Sequence, residues 1–177
     1  DIMRNLLLES KEPEFYMIDT TAGKEVLKMG FDTAKTSQGV TSLYYKNLEK
    51  LTPMFRTLYM LKNKFTVLVF WSVDCGHCQT EIPKLNEELQ KIKGEVDFET
   101  FAVYTKEDFP AWRKFIIDKK LEFINVFDPI HLNNLKVKYD IYSTPVIYIL
   151  DKDKKIKAKR LGVEQVVDML KFLNKNS

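Results

Sequence analysis

The amino-acid sequence predicts an α/β domain in which a central mixed sheet, parallel for the most part, is covered by helices on both faces. Short apolar runs alternate with segments of helical periodicity, an order typical of parallel strands joined by crossover helices. A tight polar link at residues 151–154, DKDK, joins the last two strands, which must then form an antiparallel hairpin. The chain has 177 residues, 45% of them hydrophobic, which is enough to bury the core of one domain.

A nearly unbroken apolar run at residues 65–71, FTVLVFW, predicts a central strand buried on both faces of the sheet. Residues 80–93 carry apolar side chains at three- and four-residue intervals, which predicts an amphipathic helix ended by Gly94. The later elements are expected in this order: a strand at 98–104, a helix at 109–119, a strand at 123–127, a helix opened by Asp128 and Pro129, strands at 145–150 and 155–161, and a helix at 163–173.

The first 64 residues have weaker periodicity than the rest of the chain. A strand is expected at residues 15–18, and residues 30–42, which contain several Gly, Thr and Ser, are expected to form a loop. Apolar residues repeat at helical spacing between Leu48 and Leu61, and they predict a helix there despite Pro53 inside the window.

A chain of this length fits a single domain. We divide it into an N-terminal extension at residues 1–11 and a domain at residues 12–177.

The charge pattern indicates no nucleic-acid or membrane-surface partner. The 28 Lys and Arg residues are interspersed with 25 Asp and Glu, and the formal net charge is +3. No apolar run approaches the roughly 18 residues that a bilayer crossing needs, so no direct membrane span is expected in this fragment. The first four residues are neither an initiator methionine nor a signal sequence. We therefore expect a trimmed or mature fragment whose signal or anchor lay upstream.

Both cysteines lie in one stretch, FWSVDCGHCQTEIPKL, where the predicted strand gives way to the predicted helix. Cys75 stands at the helix start, where free backbone N–H groups and the positive end of the helix dipole favour a thiolate. Cys78 lies within the first turn, close enough to form a disulfide with Cys75. One thiol can attack a substrate disulfide and the other can resolve the mixed disulfide, so the spacing and context favour thiol–disulfide chemistry.

Two other interpretations of the cysteine pair stay open on the residues alone. Isolated cysteines are often inert, buried apolar side chains. A structural zinc site needs four ligands, whereas the chain has two cysteines and two histidines, with His131 far along the sequence. A c-type haem site is disfavoured, because Gln79 rather than His follows Cys78.

Four features in order make the chain similar to the thioredoxin superfamily. They are the apolar strand, Cys-x-x-Cys at a helix start, Pro83 inside that helix, and Thr144-Pro145 before a strand. Within the superfamily the chain resembles the TlpA/ResA-like thiol–disulfide oxidoreductases of bacteria. This resemblance covers about residues 12–175 and rests on PEFYMIDTTAGKEV (13–26), FWSVDCGHCQTEIP (70–83), YDIYSTPVIYILDKDKKI (139–156) and RLG (160–162). It implies a thioredoxin-like fold.

The resemblance also implies roles for individual residues. Cys75 would be the attacking, solvent-facing thiol and Cys78 the buried resolving thiol. Pro145, joined to Thr144 by a cis bond, would place its neighbouring backbone against Cys75, offer the substrate a short strand-like contact and keep metals away from the thiols. Glu81 matches a glutamate of some family members and could shuttle protons to Cys78. A solvated first-turn glutamate is the equally weighted alternative.

The chain departs from the family pattern beside the cysteines. Asp74 stands where the family usually has Trp, and its carboxylate is expected to oppose thiolate formation at Cys75. Gly76 and His77 form the dipeptide found in protein disulfide isomerases, and a protonated His77 would stabilise the thiolate and make the disulfide more oxidising. Trp71, at the end of the predicted strand, is expected in the core or in the wall of the site.

These expectations combine into one functional prediction. The protein is expected to be an enzyme that exchanges electrons with protein thiols or disulfides and with a redox partner protein, in the bacterial periplasm or cell envelope. No flavin, haem or metal is expected, because the dithiol itself carries the two electrons. The alternatives are a redox-inactive binding module on the same fold and a thiol peroxidase, which Ser72-x-x-Cys75 faintly suggests. Between Gly23 and the strand at Phe65 the chain has 41 residues, about twice what the resembled family usually has there. Residues 28–62 are therefore expected to be an insertion of a helix and a loop near one end of the sheet, which shapes which partner reaches Cys75.

Overall fold

The computed structural model describes residues 58–127 and 135–176, and the backbone of residues 17–19 and 55–56. Its strands are β1 (Met17–Asp19), β2 (Phe55–Arg56), β3 (Phe65–Trp71), β4 (Phe98–Tyr104), β5 (Ile124–Phe127), β6 (Val146–Asp151) and β7 (Ile156–Lys159). Its helices are α1 (Gly76–Lys91), α2 (Phe109–Asp118), α3 (Leu135–Lys138) and α4 (Val163–Lys175), and a 3₁₀ turn covers Leu58–Met60. From β3 onward, each described element has the type that the sequence predicts.

The seven described strands form one mixed sheet in the order β2-β1-β5-β4-β3-β6-β7. Parallel pairing is confined to its centre, where β4 lies between β3 and β5. The other described pairs are antiparallel, including the predicted hairpin of β6 and β7. The sheet is therefore less parallel than predicted. The connection from β5 to β6 leaves and re-enters the sheet at the same end, because Val146, the first residue of β6, pairs with Phe70 near the end of β3.

The core lies on both faces of β3, whose seven residues are all buried. Alternate side chains of a strand point to opposite faces, so Val69 and Trp71 belong to one apolar cluster and Phe70 to the other. Buried or partly buried residues of α1, α2 and α4 cover the first cluster, and the 3₁₀ turn and Leu135 of α3 pack on the second. The prediction of helices on both faces is confirmed.

Helix α1 begins at Gly76, four residues before its helical periodicity becomes visible in the sequence. Its buried side chains include Cys78, Ile82, Leu85 and Leu89. Their spacing of three and four residues places them on one face, against the sheet. Cys78 is thus the first residue of the core-facing stripe, and the packing of α1 fixes how deep its thiol lies.

The predicted helix between Leu48 and Leu61 is wrong in its described part. Phe55–Arg56 is a strand that pairs with β1, and only Leu58–Met60 has a helical turn. Pro53 cannot donate a backbone hydrogen bond to a helix, and the backbone of residues 55–56 pairs with that of β1 instead. Leu58 is nevertheless buried, so the apolar pattern in this segment reflects packing on the sheet rather than a helix.

Parts of the prediction concern residues outside the described ranges. These are the extension at residues 1–11, the loop at 30–42, and the helix start at Asp128 and Pro129. The domain limits and the insertion at residues 28–62 consequently stay predictions. Across residues 58–127 and 135–176, no helix has both the length and the apolar character that a bilayer crossing requires.

Candidate active site

The two cysteines lie where β3 ends and α1 begins. Cys75 is the N-cap of α1, with extended backbone angles of φ −86° and ψ 113°. Its Sγ accepts a hydrogen bond from the backbone N–H of Cys78 at 3.3 Å. A side chain at this position satisfies one of the free N–H groups of the first helical turn, and a negative charge there is stabilised by the helix dipole.

The two thiols differ in depth. Cys78 is 0% exposed, within the apolar cluster that contains Trp71 and Ile82, whereas Cys75 is partly exposed. Both are free thiols in this structure. An external molecule can therefore reach Cys75 but not Cys78 unless the helix start moves.

The pKa values of the two thiols shift in opposite directions. Burial raises the pKa of Cys75, but hydrogen bonds from the Cys78 and Thr144 side chains and from backbone N–H groups outweigh burial, and the pKa is lowered from 9.0 overall. Burial, and after it the hydrogen bond that its thiol shares with Cys75, raises the pKa of Cys78 to about 12. The pair thus favours a thiolate at Cys75 and a protonated thiol at Cys78.

The loop before β6 completes the site. Strand β6 runs antiparallel to β3, so its first residue lies beside the end of β3 that carries the cysteines. The Thr144–Pro145 peptide bond is cis, as the resemblance implies. In its thiol form, Cys75 Sγ donates a hydrogen bond to the Thr144 carbonyl oxygen at 3.0 Å. Two residues 69 positions apart in sequence therefore meet at the Cys75 sulfur.

The other predicted site residues fall into two groups. Gly76 and His77 are exposed beside Cys75. Trp71 is fully buried, with its ring 6.0 Å from that of Tyr104 and 5.3 Å from that of Phe115, so it belongs to the core beneath the site.

Glu81 is half-buried one turn after Cys78. In the described part of the chain, no hydrogen bond joins Glu81 to either cysteine. A direct role of Glu81 at Cys78 therefore stays a prediction.

Lys106 is a site residue that the sequence reasoning missed. Its Nζ lies 3.6 Å from the carboxylate of Asp74. A hydrogen bond from the Ser72 side chain is the main cause that lowers the pKa of Asp74, and the charge of Lys106 adds to it. Lys106 thus pairs with the carboxylate that the sequence analysis expects to oppose a thiolate, and the pKa of Cys75 is lowered overall despite that carboxylate. The clue that could have predicted this contact is the parallel pairing of β3 and β4, which brings the residues just beyond both strands to the same edge of the sheet.

Thr105 fixes the position of this lysine. Its backbone N–H and its hydroxyl both donate to the carbonyl oxygen of Trp71, at 3.0 and 3.1 Å.

Across the described ranges, no three side chains of His, Cys, Asp and Glu are grouped so that they could hold a metal ion.

Comparison with known proteins agrees with this geometry. The model of the AhpC/TSA family matches residues 51–159. The thiol-disulfide oxidoreductase ResA of Bacillus anthracis is 28% identical over 156 residues, which cover 87% of this chain and 82% of that protein. A crystal structure described as a domain of "possible thiol-disulfide isomerase" from Cytophaga hutchinsonii is 40% identical, with a TM-score of 0.64, and the match covers 71% of this chain and 85% of that one.

StoA from Bacillus subtilis is similar in fold, with 22% identity, a TM-score of 0.52, and coverage of 61% of this chain and 83% of that one. The match to the family model spans more than half of the chain, and the fold and the cysteine geometry agree with it. The chain therefore belongs to the AhpC/TSA family, has a thioredoxin-like fold, and is an enzyme of the ResA-related thiol–disulfide oxidoreductase type.

Proposed function

We propose that this enzyme exchanges electrons with protein thiols and disulfides through Cys75 and Cys78. One observation carries the proposal: a partly exposed Cys75 sulfur accepts a hydrogen bond from the Cys78 backbone at 3.3 Å, while the Cys78 thiol is fully buried behind it. This arrangement separates the two roles that exchange requires. The accessible sulfur attacks, and the buried sulfur is kept for the second step.

In the reducing direction, the Cys75 thiolate attacks one sulfur of a substrate disulfide. A bond forms between Cys75 and that sulfur, the substrate disulfide breaks, and the other substrate sulfur leaves as a thiolate. The Cys78 thiol then loses its proton and attacks Cys75 Sγ, which releases the second substrate thiolate. The substrate gains two electrons, and the enzyme is left with a Cys75–Cys78 disulfide. In the oxidising direction, the same steps run backwards.

The second step needs a proton acceptor, because a thiol whose pKa is about 12 is protonated at neutral pH. The first substrate thiolate to leave is one acceptor that the reaction itself supplies. Glu81, which is half-buried one helical turn after Cys78, is the acceptor that we propose from the chain. A Glu81→Gln variant is then expected to slow the release of the mixed disulfide without slowing its formation.

Pro145 and Thr144 are proposed to guide the substrate backbone to Cys75, since the Thr144 carbonyl lies against its sulfur. The proposed partners are proteins that present a cystine or a pair of thiols, and a second redox protein that resets the pair. The proposed compartment is the periplasm or cell envelope, because such exchange serves disulfide chemistry in oxidising compartments. We propose no cofactor, since the dithiol holds both electrons.

The test is turnover of a protein disulfide by the reduced enzyme. Wild-type protein, Cys75→Ser and Cys78→Ser are each mixed with insulin and dithiothreitol, and precipitation of the reduced insulin B chain is followed. Wild type is expected to accelerate reduction and Cys75→Ser to lose the acceleration. Cys78→Ser, reduced and then freed of dithiothreitol before insulin is added, is expected to accumulate a mixed disulfide visible by mass spectrometry. Equal activity of Cys75→Ser and wild type would contradict the proposal and favour a redox-inactive binding module.

A further inference from the structure

Two non-glycine residues with left-handed backbone angles meet at the start of the active-site loop. Asp140, with φ 53°, ends the turn that follows α3, and Arg160, with φ 56°, follows β7. This conformation is unfavourable for most residues with a side chain, although Asp tolerates it better than others. Such residues persist where surrounding contacts fix them, and they are found preferentially near functional sites.

The contacts that fix Asp140 come from the neighbouring hairpin. Arg160 Nη2 donates to the carbonyl oxygen of Asp140 at 3.0 Å and also contacts the carboxylate of Asp140. Beside this pair, the hydroxyl of Tyr148 donates to the carbonyl oxygen of Tyr139 at 2.7 Å. Two consecutive carbonyl groups of the turn are thus bound by side chains of the β6–β7 hairpin and of the residue after it.

The turn leads directly to the reactive sulfur. Four residues separate Asp140 from Pro145, and the last of them, Thr144, accepts the hydrogen bond from Cys75 Sγ at 3.0 Å. Ile141 is buried, but Tyr142 and Ser143 are exposed, with Tyr142 at 78%. Core packing therefore restrains the loop at Ile141 and again at Val146, and the stretch between them depends on how its turn is held.

We propose that Arg160 and Asp140 are positioning residues for Cys75. Arg160 binds the carbonyl oxygen and the carboxylate of Asp140, and we call this pair the clamp. The clamp holds the turn and so stabilises the loop arrangement in which Thr144 contacts the reactive sulfur. The proposal rests on the proposed function of the cysteine pair and adds residues remote in sequence from both cysteines. It assigns them an effect on Cys75 reactivity beyond any effect on stability.

The experiment uses Asp140→Gly, Arg160→Gln and a matched control, Lys120→Gly. Lys120 has φ 50° in the turn after α2 and has no part in the proposed clamp. Glycine favours the left-handed region, so both glycine variants are expected to melt at the same temperature as wild type or higher. The rate at which iodoacetamide alkylates Cys75 in each reduced protein is measured from pH 5 to pH 10, and its midpoint is the apparent pKa.

A loosened loop disturbs both contacts of Thr144 with Cys75 Sγ: the side chain donates to the thiolate, and the carbonyl oxygen accepts from the thiol. Because both variants loosen the same loop, the midpoints of Asp140→Gly and Arg160→Gln are expected to shift in the same direction, with alkylation at pH 7 changed about two- to tenfold, the range for one hydrogen bond. Lys120→Gly is expected to keep the wild-type midpoint. Among the described residues, the titratable groups around Cys75 are Asp74, His77, Cys78 and Glu81 from its own segment and Lys106 after β4, and all are unchanged in these variants.

The two clamp variants also separate positioning from a direct charge effect. Removing the Asp140 carboxylate would by itself lower the midpoint, and removing the Arg160 charge would raise it. A shift of both midpoints in the same direction supports positioning. Movement in opposite directions, or wild-type midpoints in both variants, overturns it. Alkylation needs no substrate disulfide, so these outcomes are independent of the insulin assay, in which failure of the wild type would reject the proposed function instead.

Discussion

The hydrogen bond between the two thiols predicts that truncating the buried cysteine will make the exposed one less acidic. In Cys78→Ala, the Cys75 sulfur loses a side-chain donor that lowers its pKa. A hydrogen bond to a charged group contributes about 1.5–3 kcal/mol, and one pKa unit corresponds to about 1.4 kcal/mol. Because a thiol is a weak donor, we take the lower end of that range, and the pKa of Cys75 is expected to rise by about one.

Cys78→Ser is the matched control, because it removes the second thiol but keeps a hydroxyl donor at the same place. The pH dependence of iodoacetamide alkylation at Cys75 is compared among wild type, Cys78→Ala and Cys78→Ser. The midpoint is expected to be highest in Cys78→Ala and lower in Cys78→Ser. If Cys78→Ala alkylates with the wild-type midpoint, or with a lower one, the hydrogen bond does not stabilise the thiolate and the reasoning is refuted.

The wild-type protein tests the difference in acidity between the two thiols directly. A pKa raised from 9.0 to about 12 lowers the thiolate fraction of Cys78 about 1000-fold at neutral pH, because each pKa unit is a factor of ten. Peptide mapping after brief alkylation at pH 7.5 is expected to find label on Cys75 with Cys78 essentially unmodified. Equal labelling of both would show that the helix start opens readily.

The other predictions concern the surroundings of the pair. Thr144→Val removes a hydroxyl that lowers the pKa of Cys75, so alkylation at pH 7 is expected to slow about two- to tenfold. The reduced protein is expected to lose stability as the pH rises above about 9, because Cys78 then ionises in the unfolded chain but not in the folded one. Urea unfolding at pH 10.5 should show a free energy of unfolding lowered by about 2 kcal/mol through this group, and Cys78→Ala should lack this decrease. Lys106→Met removes the ion-pair partner of the Asp74 carboxylate and is expected to slow alkylation of Cys75, but less than about threefold, since both side chains are more than half exposed. As the control, the same substitution in an Asp74→Asn background is expected to leave the alkylation rate unchanged. The reduced protein is expected not to consume hydrogen peroxide catalytically, and rapid consumption would favour a thiol peroxidase.

Periodicity predicted the central strands and helices, because burial alone decides which of their positions carry apolar side chains. β3 and β4 have the predicted bounds, and the apolar stripe of α1 is the one that packs on the sheet. The periodicity of α1 becomes visible only at residue 80, since Gly76 and His77 are exposed; the Cys-x-x-Cys pattern, rather than periodicity, placed the helix start at Cys75. The segment at Phe55–Arg56 was misassigned, because backbone pairing with a strand distant in sequence decides its conformation.

The candidate site shows the same division. Cys75, Cys78 and Thr144-Pro145 could be predicted, because their spacing and the resemblance both point to them. The roles of Lys106 and Arg160 could not be predicted, because each acts through a partner that the fold brings near. Parallel pairing of β3 and β4 brings Lys106 to Asp74, and the end of the β6–β7 hairpin brings Arg160 to the turn at Asp140.

The sequence by itself determined which sulfur atoms could react, since a Cys-x-x-Cys at a helix start fixes the spacing of two thiols through local backbone geometry. Only the tertiary structure decided how differently they behave. Burial of Cys78 between α1 and the sheet, and the approach of Thr144 to Cys75, join segments far apart in the chain. The acidity of a thiol depends on the solvent and donors around it, and those are set by packing rather than by neighbours in sequence.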